Sequence, residues 1–152
     1  PNLHAPLSIT WCLSLKPGLK PNATGHYVVI YYHKTWNEAQ TYFLLRVDLA
    51  TIENMEEMKR LIKTVRGTFY GSAWIGLYDD LNNWIWPLDN AAIERGFKSW
   101  FIQQPRNSGG QSLCVYMSYY QGTWGENFCM QTLPFTKCYW ALCGYLLSQN
   151  LE

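Results

Sequence analysis

Apolar and polar positions follow different rhythms along this chain, and each change of rhythm marks an element. Residues 73–77 (Ala-Trp-Ile-Gly-Leu) form a nearly unbroken apolar run, closed by the polar turn residues Asp79, Asp80, Asn82 and Asn83. A run this short, closed in this way, predicts a strand buried on both faces. Trp84-Ile85-Trp86 follows as a second, aromatic strand. Upstream, residues 26–32 are rich in Val, Ile and Tyr and predict the first strand. The rhythm then turns helical. Thr35 and Glu38 have the spacing of a capping box, and Trp36, Ala39 and Phe43 fall on one face of the helix it opens. After a short extended piece at 48–52, Asn54 to Glu57 is a second helix-opening signature, with acids where the helix dipole favours them. Met55, Met58, Leu61, Ile62 and Val65 form the predicted buried stripe of that helix, and Gly67 ends it.

Beyond Trp86 the pattern holds only short apolar pieces, such as 114–117 and 133–135, separated by long polar stretches. Two early helices followed by short strands predict an α+β domain, with the helices packed on small mixed or antiparallel sheets beside a long irregular loop. The domain is expected over 26–140. Residues 1–25 are a turn-rich lead-in with Pro6, Pro17, Gly18 and Pro21, and 141–152 form a tail. The apolar patch at 7–15 fits a signal-sequence remnant or a strand equally well.

Composition narrows the function classes. With 152 residues, 15% of them charged and a formal charge of +1, the chain suits one domain and lacks the basic face of a nucleic-acid binder. The clustered Lys59, Arg60, Lys63 and Arg66 fit the outer side of the second helix. No apolar run reaches the ~20 residues of a membrane span. The five cysteines form no C-x-x-C pair, and no His stands at metal-ligand spacing, which argues against structural zinc. Asn22-Ala23-Thr24 is a glycosylation acceptor sequence. Together with the cysteines and the abundant Trp and Tyr, it places the chain in an oxidising, extracellular setting, as a secreted glycoprotein. The three histidines lie near no nucleophile pattern and there is no Gly-x-Ser-x-Gly elbow, so no enzyme activity is expected.

A set of motifs follows in one order: Thr35-Trp36-x-Glu38-Ala39, Asp48-Leu49-Ala50-Thr51-Ile52, Trp74-Ile75-Gly76-Leu77, Phe97-x-x-Trp100, Gln104-Pro105-x-Asn107, Cys114, Gly122-Thr123-Trp124 and Cys129. In this order they resemble a C-type lectin-like domain over about 26–139, in wording most like the small soluble C-type lectins of bony fishes. The resemblance implies a disulfide between Cys114 and Cys129 that staples the long loop. A second family disulfide joins the first helix to the last strand, but its helix position here is Phe43, so it cannot form. Cys138 then lacks its usual partner, and Cys12 and Cys143 are extra. An odd count leaves one thiol free or paired with another chain, as in a disulfide-linked dimer.

Sugar-binding members of that family chelate calcium through a Glu-Pro-Asn or Gln-Pro-Asp triplet, an Asn-Asp pair after a strand Trp, and an acid two residues before the loop Cys. Here those places hold Gln104-Pro105-Arg106, Gly125-Glu126 and Ser112. Only Gln104 and Glu126 keep a suitable oxygen, against the six to eight that calcium needs, and Arg106 adds positive charge. The sequence therefore predicts a recognition module without a metal or other cofactor, binding a glycan or a protein surface independently of calcium. Its ligand-binding residues would be Gln104, Arg106, Asn107, Gln111, Trp124, Glu126 and Asn127. The alternatives are a calcium-dependent carbohydrate-binding lectin and a structural or antifreeze-type member. The Gln104–Pro105 bond could be cis, as in the family, or trans. Trp36, Trp74, Trp84, Trp86 and Trp100 are expected in the core; Trp124 borders the family's sugar site, and its face could stack on a sugar. Tyr116, Tyr119 and Tyr120 are expected to be partly exposed with wet hydroxyls.

Overall fold

The computed structural model describes residues 25–42, 48–65, 67–106 and 113–140, with the main chain alone at 25, 26, 139 and 140. The lead-in, the tail, Asn22, Cys12, Cys143, Phe43, Arg66, Asn107, Gln111 and Ser112 lie outside them. In chain order the elements are β1 (Gly25–Lys34), α1 (Trp36–Thr41), α2 (Met55–Val65), β2 (Ser72–Asp79), β3 (Trp84–Trp86), β4 (Ala91–Ala92), β5 (Leu113–Ser118), β6 (Thr123–Phe128) and β7 (Leu133–Trp140). This is the expected α+β arrangement.

The strand predicted from the apolar run is the hub. β2 pairs with β5 antiparallel and with β7 in parallel at Trp74 opposite Phe135, and its far end carries the β3–β4 ribbon. β1 then adds antiparallel to β7, from Gly25 opposite Trp140 to Ile30 opposite Phe135, and β6 adds antiparallel to β5. The run is unbroken because its two faces feed two cores. Ala73, Ile75 and Leu77 pack with Met58, Leu61 and Val65 of α2, whereas Trp74 packs with Trp36, Ala39, Leu49 and Phe135 beneath α1. Gly76 admits a crossing segment: a Cβ there would meet the Leu49 carbonyl at 2.9 Å and the Ala50 carbonyl at 3.1 Å. The space goes to a hydrogen bond, Gly76 N–H to the Ala50 carbonyl at 2.9 Å.

Both helices start where their caps lie. The Glu38 N–H donates to the Thr35 hydroxyl, and the Thr35 N–H donates to Glu38 Oε1, each at 3.2 Å. The Glu57 N–H donates to Asn54 Oδ1 at 2.8 Å, while Glu57 Oε2 accepts from the Glu53 N–H at 2.7 Å. Past the end of α2, Gly67 takes φ +87°, the left-handed conformation that glycine adopts without strain.

Three expectations need correction. Met55, placed in the buried stripe, is 51% exposed, because it is the first helical residue and burial begins a turn later at Met58. Arg60 does not simply face outward: it is half-buried, with its guanidinium 5.6 Å from the Tyr27 ring centre. Tyr119 is buried and its hydroxyl bonds Thr136 Oγ1 rather than water, since Phe69 packs edge-on against the ring. Burial pushes the Tyr27 and Tyr119 hydroxyls well above the ordinary tyrosine range. Tyr120 is 79% exposed, as expected.

Candidate functional site

Of the predicted site residues that are described, Gln104, Arg106, Glu126 and Asn127 meet at β6. Segment 99–104 runs beside that strand. The Trp124 N–H donates to the Ser99 carbonyl at 2.7 Å, and the Phe101 N–H donates to the Trp124 carbonyl at 2.9 Å. Gln103 then turns the chain at φ +66°, and Gln104–Pro105 is cis. Here the structure chooses between two isomers that the sequence left open.

Gln104, Arg106 and Glu126 are brought together by two reciprocal hydrogen bonds. Gln104 Oε1 accepts from the Glu126 N–H at 3.2 Å, and Glu126 Oε1 accepts from the Arg106 N–H at 2.7 Å. The loop and β6 are thus clasped through side chains onto main chain. The second Glu126 oxygen, Oε2, is buried without a hydrogen-bond partner. Arg106 is exposed, and Asn127 is half-buried with Oδ1 accepting from the Phe128 N–H at 2.8 Å. Cys114 and Cys129 are bonded at the base, with Cα atoms 5.1 Å apart.

Trp124 does not border the site as expected. It is fully buried, and Trp86, Phe97 and Trp100 meet its ring edge-on at 5.7, 5.7 and 5.8 Å between centres. No face is left to stack on a ligand, so its contribution is to seat segment 99–104 through its main chain. Trp84 and Trp100 are half-buried and pack on each other at 5.2 Å.

Sequence reasoning missed Tyr116 as part of the site. It lies opposite Gly125 across β5 and β6, and a Cβ on Gly125 would come within 2.6 Å of Tyr116 Cζ. The tyrosine ring covers the spot where a longer side chain at 125 would stand. A tyrosine two residues after a loop cysteine, opposite a glycine, is a signal only once the strand register is known.

Among the described residues, the side-chain oxygens at this site are those of Gln104, Glu126 and Asn127. Gln104 Oε1, Glu126 Oε1 and Asn127 Oδ1 already accept main-chain hydrogens, and of these side-chain oxygens Glu126 Oε2 alone is uncommitted. Among the described residues, one uncommitted carboxylate oxygen falls short of the six to eight oxygens that calcium takes.

A family model described as "Lectin C-type domain" matches residues 32–138. The chain belongs to the C-type lectin domain family. Rat asialoglycoprotein receptor 2 is 35% identical over 103 residues, a match covering 64% of this chain and 33% of that protein. Human C-type mannose receptor 2 is 27% identical over 117 residues, covering 73% of this chain and 8% of the receptor. The chain therefore spans about a third or less of these two receptors. A lectin of Pleurodeles waltl is 25% identical over 85% of this chain and 78% of its own length. Among solved structures, the carbohydrate-recognition domain of human scavenger receptor C-type lectin has a TM-score of 0.66 at 25% identity, over 84% of this chain and all of that one. Human lithostathine, at 21% identity over 87% of this chain and 94% of that one, has the same TM-score and shows the shared fold. These relatives are lectins and receptors. No helix among the described residues is long and apolar enough to cross a membrane.

Proposed function

We propose that this C-type lectin domain is an extracellular recognition module that binds a glycan or protein surface through its long loop, without calcium. One observation carries the reading. The clasp of Gln104, Glu126 and the Arg106 N–H commits to the fold two of the oxygens that a cation would need. Residues 104–106 are held to β6 by the protein's own hydrogen bonds, so a metal has little left to organise there. Arg106 and Asn127 flank the clasp, and Arg106 can offer charge-assisted hydrogen bonds to a ligand.

A ligand that binds only the native state raises its stability by mass action. The melting temperature should therefore be the same in 5 mM EDTA and in ~5 mM calcium, a concentration above the ~0.1–1 mM dissociation constants of extracellular sites. On a glycan array, whatever signal the domain gives should survive EDTA. A rise of several degrees in calcium overturns the reading. It would favour a second one, calcium-dependent sugar binding, for which the buried and unpartnered Glu126 Oε2 is the supporting observation.

A further inference from the structure

Lys137 is 1% exposed, in the middle of β7, where a lysine is among the costliest residues to bury. Its Nζ donates to the Gln40 carbonyl at 2.9 Å. That carbonyl lies in the last turn of α1, where no following helical N–H remains to bond it. The Gln40 side chain continues the network, its Oε1 accepting the Leu49 N–H at 2.9 Å and its Nε2 donating to Asp48 Oδ1. Leu49 also bridges to Lys137 in the sheet. A buried cation thus lies under the joint of three pieces: the end of α1, the 48–49 segment and β7.

α1 has six residues, too short to persist without tertiary support. At its other end, the Trp36 N–H donates to the Cys129 carbonyl at 3.0 Å and the Trp36 indole to the Ile75 carbonyl at 2.9 Å. The helix therefore connects the buried lysine to the disulfide at the base of the recognition loop.

We propose that α1 is a proton-controlled strap: a charged Lys137 favours lifting of its C-terminal end, and a neutral Lys137 favours its docking. Among the described residues, several groups lie at or near the amine. α1 contributes Gln40 and, at its C-cap, the Tyr42 ring. The next segment contributes Asp48, and β7 contributes Phe135, whose ring packs on that of Tyr42; Lys34 of β1 lies on the Tyr42 ring, 5.7 Å from its centre. Burial lowers the Lys137 pKa to about 8, and the Asp48 carboxylate opposes that shift. Once the strap lifts, water reaches the amine and its proton affinity recovers. The proton is therefore bound more tightly in the lifted form, and linkage requires that protonation shift the balance toward lifting. Below pH 8 the strap opens more readily; above it the strap tightens.

Amide hydrogen exchange, expressed as protection factors at several pH values, tests this without any ligand, and so independently of the recognition reading. Protection of residues 39–42 and 49 should rise from pH 7 to pH 9.5, while that of the α2 amides moves less. In Lys137→Met the same amides should be as protected at pH 7 as those of the parent at pH 9.5, and insensitive to pH. Asp48→Asn, which removes the compensating charge with little change of shape, should move the parent's transition to lower pH. It keeps the test decisive should the methionine variant fail to fold. Protection that stays flat with pH in the parent, or a transition unmoved in Asp48→Asn, overturns the proposal. So does a Lys137→Met variant less protected than the parent at pH 7.

Discussion

Gly125 and Tyr116 face each other across β5 and β6, and each limits what the other can be. Gly125→Ala would push a methyl group into the tyrosine ring. Displacing a half-buried ring by one carbon should cost about 1–2 kcal/mol. Adding Tyr116→Ala should relieve much of that cost, because the obstruction is gone. Urea denaturation of both single variants and the double variant measures the coupling. Additive costs would show that the pair does not interact. A second residue-scale case is Asn54, whose Oδ1 accepts the Glu57 N–H. Asn54→Ala should lower stability by ~1 kcal/mol, and an unchanged urea midpoint would mean that this cap does not hold α2.

The β5–β6 hairpin matters most among the elements. Its two strands pair over six residue pairs, and the Cys114–Cys129 bond closes its open end over a separation of 15 residues. Reducing the number of unfolded conformations of such a loop contributes roughly 3 kcal/mol. Cys114→Ser should therefore cost about 2–4 kcal/mol in denaturant. It should also accelerate amide exchange at Trp36, whose N–H is tied to the Cys129 carbonyl. Lower stability with Trp36 exchange unchanged would show that α1 does not depend on the hairpin end. The spacing of the cysteines was legible in the sequence, and the pairing followed from the family resemblance. Dependence of a helix some ninety residues upstream was not legible, because no local pattern records which carbonyl an N–H will meet.

At the scale of the molecule, buried titratable groups shape the pH dependence of stability. Below pH 8 both the folded and the unfolded chain hold the Lys137 proton, and stability carries the full burden of the buried charge. From about pH 8 to ~10.4, the ordinary lysine range, only the unfolded chain holds it, so stability rises with pH by roughly 3 kcal/mol. Above about pH 10 the unfolded tyrosines ionise, while the buried Tyr27 and Tyr119 keep their protons, and stability falls. Chemical denaturation from pH 7 to 11 should therefore show a rise and then a fall. In Lys137→Met the rise should vanish while the fall remains. A parent curve that declines steadily from pH 8 would contradict this account.

Some features of this protein were settled by residues close together in the chain. Both helix caps bond across three residues, the apolar run at 73–77 had to be doubly buried, and the motif order carried the family and its α+β fold. Such signals are legible because both partners sit in one short window of sequence. The site was legible only in part. Gln104, Arg106 and Glu126 were marked as candidates, yet their clasp spans 20 and 22 residues and depends on β6 lying beside the loop. Trp124 looked like a stacking surface because the family resemblance sets it at the border of the sugar site; three aromatic rings reach it only in the folded state. Lys137 is the extreme case, with its acceptor 97 residues away. A lysine between Thr136 and Cys138 reads as an ordinary strand residue. Only the docking of α1 and Leu49 over β7 turns it into a buried charge, because burial depends on how elements far apart in the sequence pack together.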